Sequence, residues 1–189
     1  MATWTDDITR LGGTLARLSF RDARGRDIPV DEAFRMWRRL TLALRKKHGA
    51  VYLIGNGASA SMASHFAADL AKNARLHTEV FSDLSLITAI TNDMGYEHVF
   101  SEPLRRRGKR GDMLVAISSS GRSPNILRAV ATARRLGLTV VTLSAMSPRN
   151  PLRSLGDLNA YVAAGDYGLA ETCHAAVLHH WMDLVEATG

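Results

Sequence analysis

Short apolar runs at 50–54, 113–117 and 138–143 alternate along the chain with stretches of helical spacing, and this alternation constrains the fold more than any other feature. Runs of five or six residues, bounded by turn residues and too short for helices, read as strands buried on both faces. Strands buried in that way belong to parallel sheets, whose neighbouring strands need a crossover connection, usually a helix. The pattern therefore predicts an α/β fold, a three-layer sandwich with a mostly parallel sheet between two helical layers.

The rest of the chain is consistent with this scheme. Ile8, Leu11, Leu15 and Leu18 repeat at helical spacing over 5–20, after a Thr5-Asp6-Asp7 start that suits a cap and first turn. The segment 20–28 is charged and turn-like. A second helix follows Pro29 over 30–47, with Phe34, Trp37, Leu40 and Leu44 on one face and a basic last turn closed by Gly49. Two helices thus precede the first strand, a layout that favours oligomerisation. Further helices are predicted at 61–72, 96–107, 123–136 and 169–187, and short strands at 78–81 and 160–162. Residues 84–90 read as helical or irregular and 91–95 as a turn by composition. Residues 144–155, with Pro148 and Pro151, read as a loop.

The chain's 189 residues suit one domain over 1–189, a helical segment at 1–48 and an α/β core at 50–189. No apolar run is long enough to cross a bilayer, and the N-terminus lacks the basic and apolar regions of a secretory signal, so a soluble cytoplasmic protein without membrane partners is expected. The single cysteine, Cys173, allows no internal disulfide and reads as a small core residue. Much of the net charge of +6 comes from Arg105-Arg106-Arg107-Gly108-Lys109-Arg110. No aromatic residues interleave this cluster, which argues against nucleic acid and for a solvated loop or subunit-contact face.

Chemistry concentrates in the turn after 113–117. Ser118-Ser119-Ser120-Gly121-Arg122-Ser123 places four hydroxyls, and a glycine that permits close backbone approach, at the start of a helix. Hydroxyl and backbone donors at the positive end of a helix dipole make an anion site, most simply for phosphate. The nucleotide pattern GxxxxGK[ST] is absent. A Ser-rich linker or ordinary cap is the alternative, although four serines exceed what one cap can use. A second turn, Gly55-Asn56-Gly57-Ala58-Ser59, follows the first strand and lies at the same end of the sheet. It fails the dinucleotide pattern GxGxxG at its last glycine.

With both turns in hand, the chain resembles the sugar isomerase (SIS) family, and within it the phosphoheptose isomerases, from about residue 50 to the C-terminus. The resemblance implies a flavodoxin-like SIS fold, a homotetramer, and phosphosugar chemistry without a nucleotide cofactor. It implies phosphate binding by Ser118, Ser119, Ser120 and Ser123, and sugar contacts from Asn56, Ser59, Asn92 and Asp93. It further implies that His65, Asp69, Glu171 and His179 stand where some members bind a zinc ion, with Glu171 also at the substrate. Asp69 stands in place of a glutamate, and Glu171 in place of a glutamine. Two histidines and two carboxylates are a more anionic set for a divalent metal than the family's own. Asp69, one methylene shorter, has a different reach for proton transfer. Each of the four has a plainer reading as an exposed or flanking helix residue, and His174 and His180 are nearest to it.

The function implied is aldose–ketose isomerisation of sedoheptulose 7-phosphate to D-glycero-D-manno-heptose 7-phosphate through an enediol. Asp69 and His179 would move the proton. The alternatives are an isomerase for another heptose or octose phosphate in secondary metabolism, and a non-catalytic SIS interaction module of the kind that partners a DNA-replication initiator.

Overall fold

Thr3 opens the first helix with a reciprocal cap: its hydroxyl accepts the Asp6 N–H at 3.2 Å while the Asp6 carboxylate accepts the Thr3 N–H at 2.9 Å. The structure, a computed structural model, describes residues 3–187. After this helix, α1 (Trp4–Leu15), the chain forms a hairpin, β1 (Ser19–Asp22) and β2 (Asp27–Ile28), and then α2 (Val30–Lys46). From there strands and helices alternate: β3 (Ala50–Ile54), α3 (Ala58–Ala74), β4 (His77–Glu79), α4 (Leu84–Met94), α5 (Ser101–Arg107), β5 (Met113–Ser118), α6 (Pro124–Leu136), β6 (Thr139–Ser144), β7 (Leu158–Tyr161) and α7 (Tyr167–Glu186). Single 3-10 turns at Tyr96–His98 and Pro151–Ser154 complete the elements.

The sheet has the order β2-β1-β7-β6-β5-β3-β4. The five strands from β7 to β4 are parallel, and β1 and β2 add antiparallel at one edge. Counted among themselves, the parallel strands follow the order 2-1-3-4-5 of flavodoxin-like sheets, as the family resemblance implied. The chain reverses direction across the sheet between β3 and β5. Ligands of such sheets bind at the carboxyl ends of the strands beside that reversal, which is where both Gly/Ser turns emerge.

Alternate side chains of each strand feed two cores. Val51, Leu53, Met113, Val115 and Ile117 face α2, α3 and α7, where the Trp37 and Trp181 rings stack with centroids 4.2 Å apart. Tyr52, Ile54, Leu114 and Ala116 face α4, α5 and α6, meeting Ile90, Leu104, Ile126 and Val130. Leu11 and Leu15 of α1 pack beside α7 against Ala170 and Cys173.

Three segments differ from the sequence expectation. Residues 20–28 form an edge hairpin rather than a charged turn. Phe20 is buried in the core and Ile28, its cross-strand partner, packs against it, while Asp22 accepts the N–H groups of Arg24 and Arg26 and Gly25 takes a φ of 76°. Buried Arg153 holds this hairpin by donating to the Ser19 hydroxyl and the Pro148 carbonyl and by stacking over the Tyr161 ring. Residues 91–94 are not a turn. Asp83 caps α4 by accepting the Leu86 N–H, and the helix runs on until Gly95, whose φ of 96° ends it. The helix expected at 96–107 is divided into the 3-10 turn at Tyr96–His98 and α5, and the first half of the arginine cluster, helical as expected, is not free charge. Arg105 and Arg106 close α5 and both pair with nearly buried Glu102, and Arg107 pairs with Glu79.

Candidate active site

The β5–α6 turn and the β3–α3 turn share a cavity of about 140 Å³ lined by Asn56, Ser59, Ile117, Ser118, Ser119, Ser120, Ser123, Tyr167 and Glu171. Five of these side chains carry hydroxyls on serine alone, and three helices begin at the cavity. The α6 end is ordered by its sequence: Pro124 occupies the first helical position, where its missing N–H costs nothing. The turn itself is held from below. Gly121 adopts a φ of 62°, and a side chain there would collide with the Asn150 carboxamide. Asn150 in turn donates to the Ser144 hydroxyl and to the carbonyls of Ala145 and Ser147.

Hydroxyls of Ser118 and Ser123 lie 3.3 Å apart, and the Ser120 hydroxyl accepts the Arg122 N–H. The Ser119 hydroxyl is different: it is buried and has no hydrogen-bond partner within the protein. An unpaired buried hydroxyl costs folding free energy, about 1–3 kcal/mol, unless something outside the fold uses it. A phosphate oxygen in the cavity would supply that partner.

The other residues singled out from the sequence fall in two further places. His65 and Asp69 lie one turn apart on α3, with His65 Nε2 3.4 Å from Asp69 Oδ2. The His179 ring, from α7, is 5.8 Å from that of His65 and 4.7 Å from that of Phe66, centroid to centroid. These three gather on one face of the α3–α7 pair. Glu171 is not with them: eight residues from His179 on the same helix, it lies about 12 Å away along the axis. Among the described residues no three histidine, cysteine or acidic side chains converge to hold a metal ion. Within one chain, then, the four side chains do not fit a zinc ion. Asn92 and Asp93 are exposed on α4, where the Asn92 amide donates to the Asp93 carboxylate. Asp93 lines a separate cavity with Leu86, Glu102 and Arg106.

His174 and His180 stand apart from the cavity. His180 packs edge-on against Phe34. His174 is 1 % exposed and neither ring nitrogen has a partner of hydrogen-bond geometry. Burial pushes its pKa down to about 4, slightly offset by the nearby Ser144 backbone, so the ring is neutral at pH 7.

Sequence reasoning missed Asn125, Tyr96 and Tyr167. Tyr167 starts α7 at the cavity rim. Asn125, 1 % exposed, forms a two-way carboxamide pair with Asn56, and the Tyr96 hydroxyl reaches the same Asn56 oxygen at 3.1 Å. Asn125 sits in the second position of a helix behind a proline, where an asparagine is unremarkable, so no local signal marked it.

Comparison with known proteins gives the family. Residues 32–145 match the SIS domain family. A phosphoheptose isomerase of Helicobacter pylori (strain Shi470) is 34% identical over 153 residues, 78% of this chain and 79% of its own length. One of Chlorobaculum parvum is 37% identical over 148 residues, 74% of this chain and 70% of its own. The solved phosphoheptose isomerase of Neisseria gonorrhoeae superposes with a TM-score of 0.82 at 28% identity, covering 97% of this chain and 95% of that one. With the sheet order, the paired turns and these relatives taken together, the chain belongs to the SIS domain family, in its phosphoheptose isomerase group.

Proposed function

We propose that the protein is an aldose–ketose isomerase that converts sedoheptulose 7-phosphate to D-glycero-D-manno-heptose 7-phosphate in the cytoplasm. The observation that carries this reading is the unpartnered Ser119 hydroxyl, buried in a serine-lined cavity at the start of α6. Ser118, Ser119, Ser120 and Ser123 bind the terminal phosphate. Binding energy from that remote group orients C1 and C2, the atoms that react. Asn56, Ser59 and Glu171 line the same cavity and contact sugar oxygens.

A base removes the proton at C1 of the ketose, the enediol forms, and the proton is returned at C2 while the hydroxyl proton passes from O1 to O2. Asp69 and His179 are the acid–base pair of this reading, with His65 beside Asp69 at 3.4 Å. Along α3, Asp69 is ten residues and so about 15 Å from Ser59 at the cavity. That distance exceeds the reach of an aspartate. The acid–base cluster of one chain therefore serves the serine turn of another, in a homotetramer where Asn92 and Asp93 also border a neighbour's sugar. A zinc ion would likewise need donors from two chains, and no step here is routed through one.

The test is an NMR assay with sedoheptulose 7-phosphate in deuterated water, with and without zinc, and with Asp69→Ala as control. An aldose 7-phosphate carrying deuterium at C2, absent in the control, is the expected result. No turnover and no exchange under any metal condition would refute the assignment.

A further inference from the structure

The Asn56 side chain is held by a chain of hydrogen bonds whose direction can be worked out from one end. Ile126 N–H faces Asn125 Oδ1 at 3.0 Å. A backbone N–H can only donate, so the Asn125 atom facing it is the oxygen. The other Asn125 atom is then its amide nitrogen, which donates to Asn56 Oδ1 at 2.8 Å, while Asn56 Nδ2 returns a bond to Asn125 Oδ1 at 3.0 Å. With Asn56 oriented, the Tyr96 hydroxyl at 3.1 Å from Asn56 Oδ1 must be a donor as well.

The inventory of Asn56 is now nearly exhausted. Its oxygen has two lone pairs and two donors, and its nitrogen has two protons, one of them used. What remains is a single N–H, on a residue that lies between the serine cavity and the adjoining apolar one and lines both. We propose that Asn125 and Tyr96 are positioning residues that hold Asn56 as a dedicated hydrogen-bond donor, through which the site recognises an acceptor oxygen of the bound sugar phosphate. This inference rests on the isomerase reading for its ligand but not for its geometry.

The two positioning residues do different work. Asn125 is 1 % exposed, so its pairing with Asn56 is shielded from water. Tyr96 is 51 % exposed and stands on the 3-10 turn that follows Gly95, with its ring over an adjoining apolar cavity lined by Leu53, Phe81 and Ile87. Its hydroxyl takes the last lone pair of Asn56 and polarises the amide toward the free N–H.

Asn125→Asp breaks the chain of donors. A carboxylate satisfies Ile126 N–H but offers no donor to Asn56, so one bond of the pair becomes an oxygen–oxygen repulsion whichever way the Asn56 carboxamide lies, and its orientation is no longer fixed. Tyr96→Phe removes only the hydroxyl, at an exposed position that leaves folding intact.

The experiment has two arms. In the first, kcat and KM for sedoheptulose 7-phosphate are measured for the wild type, Tyr96→Phe, Asn125→Asp and the double variant. About a fivefold rise in KM is expected for Tyr96→Phe, from loss of one neutral hydrogen bond. A rise of about 100-fold or more is expected for Asn125→Asp, and no further loss in the double variant, because Asn56 has already lost its fixed orientation. In the second arm, 15N-asparagine-labelled protein without substrate is examined for water exchange at the Asn56 side-chain amide. One of its two protons should exchange freely and the other slowly. Equal exchange of the two in the wild type, or variants within twofold of wild-type KM, would overturn the proposal. A wild type that neither binds nor converts the sugar, with unequal amide exchange, would instead refute the isomerase reading and leave the donor arrangement standing.

Discussion

Replacing His174 by leucine should remove an acid-sensitive element from the fold, and the size of the effect follows from its burial. The ring is enclosed on α7, both nitrogens lack partners, and its pKa lies at about 4 against an ordinary value of 6.5. The folded value is below the unfolded one, so the unfolded chain binds the extra proton as pH falls below about 6.5. Stability from the neutral ring is thus fully present above that pH, declines through the interval, and stops declining near pH 4. A shift of this size corresponds to a loss of about 2 kcal/mol at pH 5 and about 3 kcal/mol at pH 4. Carboxylates also titrate in this range, but they do so equally in wild type and variant. The measurement is therefore the difference between the two in urea unfolding at one protein concentration, at several pH values from 4 to 8. At pH 7.5 His174→Leu should lie within about 1 kcal/mol of wild type, because leucine buries no unpaired nitrogen. At pH 5 it should be the more stable protein by about 2 kcal/mol relative to that baseline. A difference that stays flat to within about 0.5 kcal/mol from pH 4.5 to 8 would refute the reasoning, since a buried neutral histidine cannot behave so.

Three other outcomes follow from the same structure. Ser119→Ala should leave stability unchanged or slightly raised, because nothing in the fold uses the hydroxyl, while raising KM for the sugar phosphate about tenfold or more; thermal melting and steady-state kinetics check the two halves. Gly121→Ala should destabilise by about 2 kcal/mol or more, through the left-handed φ of 62° and the displacement of Asn150 from its four hydrogen bonds, and urea midpoints will read it. Asp69→Asn should cut deuterium exchange at C2 by about 100-fold or more while inorganic phosphate still binds at the serine turn, a separation that isothermal titration beside the NMR assay would register.

The parts of the fold that were legible share a physical cause. β3 and β5 are buried along their whole length, so an unbroken apolar run marks them. The edge hairpin was not legible, because its strands send only Phe20 and Ile28, one residue each, against the core and the rest of its pattern is that of a polar turn. Residues 91–94 carry turn-forming residues, yet the cap at Asp83 and the stop at Gly95 define a longer helix. The arginine cluster read as free charge although Arg105 and Arg106 fall within the helix expected at 96–107; on that helix Glu102, three and four residues before them, shares their face and pairs with both. For the site, the family resemblance grouped Glu171 with His179, eight residues apart on one helix. Rise along the axis keeps them apart, a fact already in the spacing.

By itself the sequence determined the strand–helix alternation, the mostly parallel sheet it leads to, and the serine turn with its helix, because each depends on residues within a few positions of one another; the flavodoxin-like order came from the family resemblance. Only the tertiary structure decided that Asn56, Tyr96 and Asn125 share one hydrogen-bonded carboxamide, across separations of 40 and 69 residues, and that Gly121 rests on Asn150. It also decided that His174 is sealed in the core while His179, five residues on, is exposed. Local spacing sets which way a side chain faces on its own element. What that face meets is set by packing between elements, and hydrogen-bond direction and desolvation follow from the meeting.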